Sequence, residues 1–245
     1  LHYVQILEKY TGMESHRDWM RAIEKTWIVR FPKQQLATFG TTNVAYYVVT
    51  EPIYQDLSSG PQEGVVRTGR VIAAKPAVVT PYYAMNLEGF SSEAYEYLNH
   101  LSETFGGNSP GVLYQYRNQA EKTEIVAGYA DEIANRIGDD LDSRREDLAV
   151  VMVGVDEYWD VALAKFIYQF TSSSAEKNVL EFRNQGLFEP NPGFGGVPRA
   201  ATQEVERMFR ESESGSGNPD LLKTELDRWG LFDYYQDRFL SLFRR

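Results

Sequence analysis

The sequence contains no cysteine, only three histidines, no run of basic residues and no apolar stretch near twenty residues long. Each absence removes a class of function. Without cysteine there are no disulfides, thiolate zinc sites or cysteine nucleophiles, and a reducing interior is compatible, so a cytoplasmic protein is expected. His2, His16 and His100 lack the i, i+4 or H-x-H spacing of metal sites and are expected to be structural or solvated. A net charge of −10 opposes attraction to phosphate backbones and anionic lipid, so neither nucleic acid nor a membrane surface is an expected partner. The longest apolar stretches, "LAVVMVGV" and "VAYYVV", fall far short of the roughly 20 residues a spanning helix requires.

What is present is a chain of 245 residues, long enough to bury a core without covalent staples. "YVQILEKYTGMESHRDWMRAIEKTW" reads as helical, with Ser15 as cap and Trp19, Ala22, Ile23 and Trp27 along one face. From Ile28 to Ala84 the chain becomes rich in Val, Ile, Thr and Tyr broken by Gly and Pro, which predicts a mainly antiparallel meander. Thr68 and Gly69 mark a turn or bulge, and Pro76 and Pro81 confine the last strand to an edge or cut it short. Helical spacing returns at "SSEAYEYLNHLSETF", capped by Ser91 or Ser92, with Ala94, Leu98, Leu101 and Phe105 facing inward.

Next come the extended "GVLYQY", a helical reading of "AEKTEIVAGYADEIANRIG", the apolar "LAVVMVGV" and a further helix. That order predicts a parallel βαβα crossover, with Val112–Tyr116 and Leu148–Val153 parallel in one sheet, adjacent or separated by one strand. A competing reading runs one helix from Leu148 to Phe170, but four valines and a glycine favour extended chain. After the loop "LFEPNPGFGGVP" a helix is expected near "TQEVERMF". A last helical pair follows the break "ESESGSGNPD", with Asn218 as cap, Pro219 at the first helical position and Gly230 as stop. The fold class is therefore α/β or α+β, with a mixed sheet and a helical C-terminal part. The domains read as a mixed α/β domain over 1–190 and a helical extension over 191–245.

Several motifs dissolve on their chemistry. "GNSPG" (Gly107–Gly111) has the G-x-S-x-G spacing of a nucleophile elbow, but Pro110 lacks the N–H an oxyanion hole would use. "GFGG" (Gly193–Gly196) fits neither a dinucleotide fingerprint nor a phosphate loop. Glu121 with Glu124, and Glu157 with Asp160, resemble the E-x-x-E and E-x-x-D ligand pattern of all-helical nucleotide pyrophosphohydrolases. The resemblance covers two short patterns only, and a parallel crossover contradicts that fold.

"GVDEYWDVALAKF" (154–166) offers the sharpest question. Trp159, Leu163, Phe166, Ile167 and Phe170 form one apolar stripe, so the helix is a core helix. Asp156, Glu157 and Asp160 at its head either cap it and oppose its dipole, or form a site. Were strands 112–116 and 148–155 parallel neighbours, Arg117, Asn118 and Gln119 would emerge beside Asp156 and Glu157 beyond the strand ends, where open sheets bind ligands. Asp156 and Asp160 would then hold a divalent metal, Mg²⁺ or Mn²⁺. Asp156, Glu157 and Asp160 would act as ligand or base, with Arg117 and Asn118 binding substrate. The alternative is a structural ion pair between the same Arg and Asp.

At the C-terminus, "WGLFDYYQDRFLSLFRR" carries apolar side chains beyond one stripe. Trp229, Phe232, Phe239 and Phe243 are the expected interface residues, in addition to packing on their own domain. The leading expectation is an assembly or protein-interaction subunit, as a homo-oligomer or with a protein partner. The alternatives are a divalent-metal hydrolase or transferase acting on a small phosphorylated compound, and a non-catalytic small-molecule sensor.

Overall fold

Seven strands form in the first two thirds of the computed structural model, which describes residues 20–54, 61–86 and 92–243. They are β1 (Trp27–Arg30), β2 (Thr42–Glu51), β3 (Glu63–Ala73), β4 (Ala77–Val79), β5 (Gly111–Leu113), β6 (Tyr116–Ala127) and β7 (Ala149–Val155). Five of them make one mixed sheet in the order β1-β7-β2-β3-β6, while β4 and β5 pair only with each other. Ser15, Trp19, His2, His16 and Ser91, and the side chain of Ala94, lie outside the described residues. The helices are α1 (Pro81–Met85), α2 (Ser92–Phe105), α3 (Ala130–Ser143), α4 (Trp159–Asn184), α5 (Arg199–Glu213), α6 (Pro219–Arg228) and α7 (Phe232–Ser241).

Two compact units divide the chain: residues 1–75 with 114–176, and 76–113 with 177–245. The chain thus leaves the first unit and returns to it, a division that the 190/191 boundary read from the sequence does not contain.

In the first unit the most apolar strands are the central ones. β7 is buried over its first five residues because both of its faces are covered, which is why "AVVMV" shows no alternation. One face packs Val49, Val66, Ala149, Val151 and Val153 against Ala130, Ile133, Ala134 and Leu141 of α3. The other packs Val44, Tyr46, Val48, Val150 and Met152 against Ala162, Leu163, Phe166 and Phe170 of α4. Each large side chain there contributes about 1.5–3 kcal/mol on burial. The strand and the apolar stripe read from the sequence both form, and the single helix from Leu148 does not.

Two expectations are corrected. β7 runs parallel to β2, with Ala45 opposite Ala149 and Glu51 opposite Val155, and not to residues 112–116. Residues 111–113 instead pair antiparallel with 77–79 in the second unit. "AEKTEIVA" is not helical either. It belongs to β6, which pairs antiparallel with β3 along its whole length, so Glu121 and Glu124 lie on a strand. Its Ala, Glu and Lys favour a helix only weakly, and the long backbone edge of β3 overrides them.

The expected break at Thr68 and Gly69 is a bulge: β3 continues through it, and the register with β6 shifts by one residue. Gly69 sits opposite Tyr46 on β2. A Cβ there would fall on the Tyr46 hydroxyl and 2.5 Å from the Gln119 carbonyl, so the tyrosine ring lies across β3 because this position has no side chain.

At the far side of the sheet, buried Arg30 ends β1. Its Nε donates to Asp142 Oδ1 (2.9 Å), Nη1 to the Ala149 carbonyl (2.6 Å) and Nη2 to the Glu146 carbonyl (2.8 Å), which ties the end of α3 to the start of β7. On α4, Lys165 Nζ donates to the carbonyls of Ile23 and Thr26, closing the short helical turn before β1.

The second unit is held by Val205, Phe209, Leu222, Leu226, Trp229, Leu231, Tyr235 and Phe239. Local signals place its helices as read. Asn218 accepts from the N–H groups of Asp220 and Leu221 with Pro219 at the first helical position, and Gly230 adopts the left-handed conformation that ends α6. Pro81, read as cutting a strand short, also begins α1, with Thr80 capping the Tyr83 N–H. Arg238 fastens α7 to α5 by donating to Glu213 Oε1 (2.9 Å) and Glu206 Oε2 (2.8 Å) while its guanidinium lies over Phe209.

Candidate functional site

The three acids at the head of α4 follow directly on the end of β7. Residues 156–158 form one 3-10 turn before the helix, and Val155, not Asp156, holds the cap position. Asp156 is partly buried, while Glu157 and Asp160 are exposed. Asp156 Oδ1 takes a hydrogen bond from Thr50 Oγ1 (2.7 Å) and an ion pair from Arg67 Nη2 (2.7 Å). Arg67 Nη1 also donates to Thr50 Oγ1 (2.9 Å), closing a triangle among β2, β3 and the end of β7. The guanidinium lies 5.7 Å from the centre of the Trp159 ring. With side-chain exposures of 19% for Arg67 and 14% for Asp156, the pair is a fastening between strand ends. One carboxylate oxygen carries both contacts.

The arginine expected there was Arg117, which sits elsewhere. β6 starts opposite Ala73 and ends opposite Glu63, so Arg117 and Asn118 lie at the end of the sheet away from Asp156. The proposed substrate clamp and the proposed carboxylates do not meet, because β6 runs antiparallel to β3 instead of parallel to β7. Among the described residues no group of three or more His, Asp or Glu side chains could hold a metal ion, Asp156 and Asp160 included.

The expected C-terminal interface residues divide. Trp229 (3% exposed) and Phe239 (8%) are buried in their own unit, and Phe232 packs partly against the same core. The Trp229 Nε1 donates to Glu225 Oε1 (2.9 Å), and the ring packs on Tyr83. Phe243 is 61% exposed, as are Tyr234 and Leu240 to a lesser degree.

Two features of the first unit escape sequence reasoning. One is a cleft of about 370 Å³ where α3 leaves the outer strands uncovered, lined by Tyr47, Thr68, Arg70, Lys122, Glu124 and Arg136 among others. Arg70 pairs with Glu121 (3.1 Å) and Lys122 with Glu124 (2.8 Å). The hydrogen bond that Lys122 donates to Glu124, with the carboxylate's charge, raises the Lys122 pKa above the ordinary lysine value. Exposed Arg136 makes no hydrogen bond or ion pair among the described residues.

The other feature is β6 itself, the outermost strand. It is twelve residues long, and every residue from Arg117 to Ile125 is exposed. Exposed on both faces, it shows no apolar alternation that would mark it as a strand.

No helix among the described residues is long and apolar enough to cross a membrane. No family model, curated protein or solved structure matches this chain.

Proposed function

We propose that this protein acts through contacts with other protein chains, as an assembly or interaction subunit. One observation carries the reading. β6 presents twelve residues of backbone along an open sheet edge, exposed on both faces, with Ile125 62% exposed. An edge of this length is a template for strand addition, and folded proteins ordinarily shorten or cover such edges. The reading calls for no nucleophile or metal. It also accounts for Arg117 and Asn118 as edge residues instead of a substrate clamp.

The test is a photo-crosslinking residue at position 125 in the cells that make the protein. A discrete protein adduct at 125, absent for the same label at Ile53, is the expected result. Labelling that yields no protein adduct at either position would sink the reading.

A second reading, a small-molecule sensor, is favoured by the cleft. Tyr47 would stack an apolar ring while the exposed Arg136 guanidinium takes a carboxylate or phosphate. Melting-temperature shifts across a panel of aromatic carboxylates, lost in Arg136→Gln, would support it.

A further inference from the structure

The two faces of β6 can be followed residue by residue. Arg117, Gln119, Lys122 and Glu124 stand opposite Ile72, Arg70, Thr68 and Val66, on the face packed by α3. Tyr116, Asn118, Thr123 and Ile125 stand opposite Ala73, Val71, Arg67 and Val65, on the α4 face. The register shift leaves Glu121 as an extra residue, so odd positions before it and even positions after it share a face. A second copy of β6 laid alongside in antiparallel fashion matches faces only in registers that differ in steps of two residues.

We propose that the partner is a second copy of this chain. β6 pairs antiparallel with its counterpart about a two-fold axis between Ala120 and Glu121. Arg117 of each chain then faces Glu124 of the other, Gln119 faces Lys122, Tyr116 faces Ile125 and Asn118 faces Thr123. This inference rests on the reading that the protein works through protein contacts, and it names the partner and the register.

Charge and polarity at Arg117 and Asn118 favour this register over the two that lie two residues to either side. A shift of two residues in one direction sets Arg117 against Lys122, two like charges directly opposed. The shift in the other direction sets Glu121 against Lys122, but it leaves Arg117 against Val126 and Asn118 against Ile125, each without a polar partner. In the proposed register each Arg117 meets the Glu124 carboxylate that also pairs with Lys122 of its own chain, and the exposed Ile125 lies opposite Tyr116. Arg117 is exposed and makes no hydrogen bond or ion pair among the described residues, so it is free to take that carboxylate. The arrangement is isologous, every contact occurs twice, and it joins two sheets into one continuous sheet.

The experiment is sedimentation equilibrium of the full chain over a concentration series, with thermal melts to show that each variant is folded. The wild type is expected to dimerise. Arg117→Glu and Glu124→Arg should each raise the dissociation constant about tenfold, and the two together should restore it to within about threefold of wild type. Glu124→Arg also gives up the ion pair to Lys122, so Arg117→Glu decides the matter if that variant misfolds. A wild type that stays monomeric at hundreds of micromolar overturns self-association, even if the label at position 125 still captures another protein. A dimer that ignores Arg117→Glu overturns this register.

Discussion

The two edges of the sheet face the same physical hazard and treat it differently. β1 has four residues, its register with β7 shifts between Ile28 and Arg30, and Pro32 follows at once. Such an edge offers almost no ladder to a newcomer. β6 is three times as long and carries only charges and one bulge. The contrast is sharpest in the arginine each edge bears. Arg30 is buried and spends its donors on Asp142 and two carbonyls, whereas Arg117 is exposed. One edge is finished within the chain, and the other is left open.

Breaking the finished edge should have the largest effect. Arg30→Ala removes a buried guanidinium and strips partners from the Ala149 and Glu146 carbonyls, so urea unfolding should show a loss of about 3 kcal/mol. Asp142 adds a pH signature. Hydrogen bonds from Lys33 and then Arg30 hold its carboxyl below the ordinary range. Its stabilisation is therefore complete above the unfolded carboxylate value and is lost as pH falls through the depressed one. The acid limb of the stability curve should be shallower in Arg30→Ala than in the wild type. A loss below about 1 kcal/mol would show that water replaces the guanidinium.

Next in size is the join between the open edge and the body. Gly69→Ala drives a methyl group into the Tyr46 ring and the Gln119 carbonyl, and should cost about 2 kcal/mol. Amide exchange over 116–127 should speed up more than over β7. Uniform exchange across the sheet would show that β6 is not the element displaced.

Third comes the fastening at the strand ends. Asp156→Ala should cost about 1.5 kcal/mol, and a double-mutant cycle with Arg67→Ala should return a coupling of about 1 kcal/mol. Added Mg²⁺ or Mn²⁺ should leave the wild-type Tm unchanged. A rise in Tm on metal addition that Asp160→Ala abolishes would reinstate the metal reading. The smallest effect belongs to Arg117→Ala, which should change the stability of the isolated chain by less than about 0.5 kcal/mol. If Arg117→Ala rivals Arg30→Ala, the two edges are not different in kind.

Elements with local signals were legible in the sequence. The Asn218-Pro219 start and Gly230 stop, the stripe from Leu163 to Phe170, and the valine run of β7 each announce themselves through capping, periodicity or composition. What failed was long-range pairing. The parallel partner of β7 lies in β2, and nothing in either sequence says which strand will lie beside which. β6 failed for another reason: a strand exposed on both faces has no apolar alternation, and its Ala, Glu and Lys carry helical propensity. The candidate site inherited both errors. Asp156 was read as cap, ligand or ion-pair partner of Arg117, and the arginine that pairs with it is Arg67, inside the meander.

The order β1-β7-β2 also bears on how this protein comes into being. β1 and β2 are synthesised before β7, yet they flank the slot that Ala149–Val155 fills. Until β7 is made, the apolar "VAYYVV" of β2 has one flank unpaired and β1 lacks its strand partner among the described residues. Closing a parallel pair across so much intervening chain is slow, and an unfilled apolar slot is prone to capture by other chains. The sheet therefore cannot close until β7 has been made. A nascent polypeptide arrested before Ala149 should be a strong chaperone client, and one released after Val155 a weaker one.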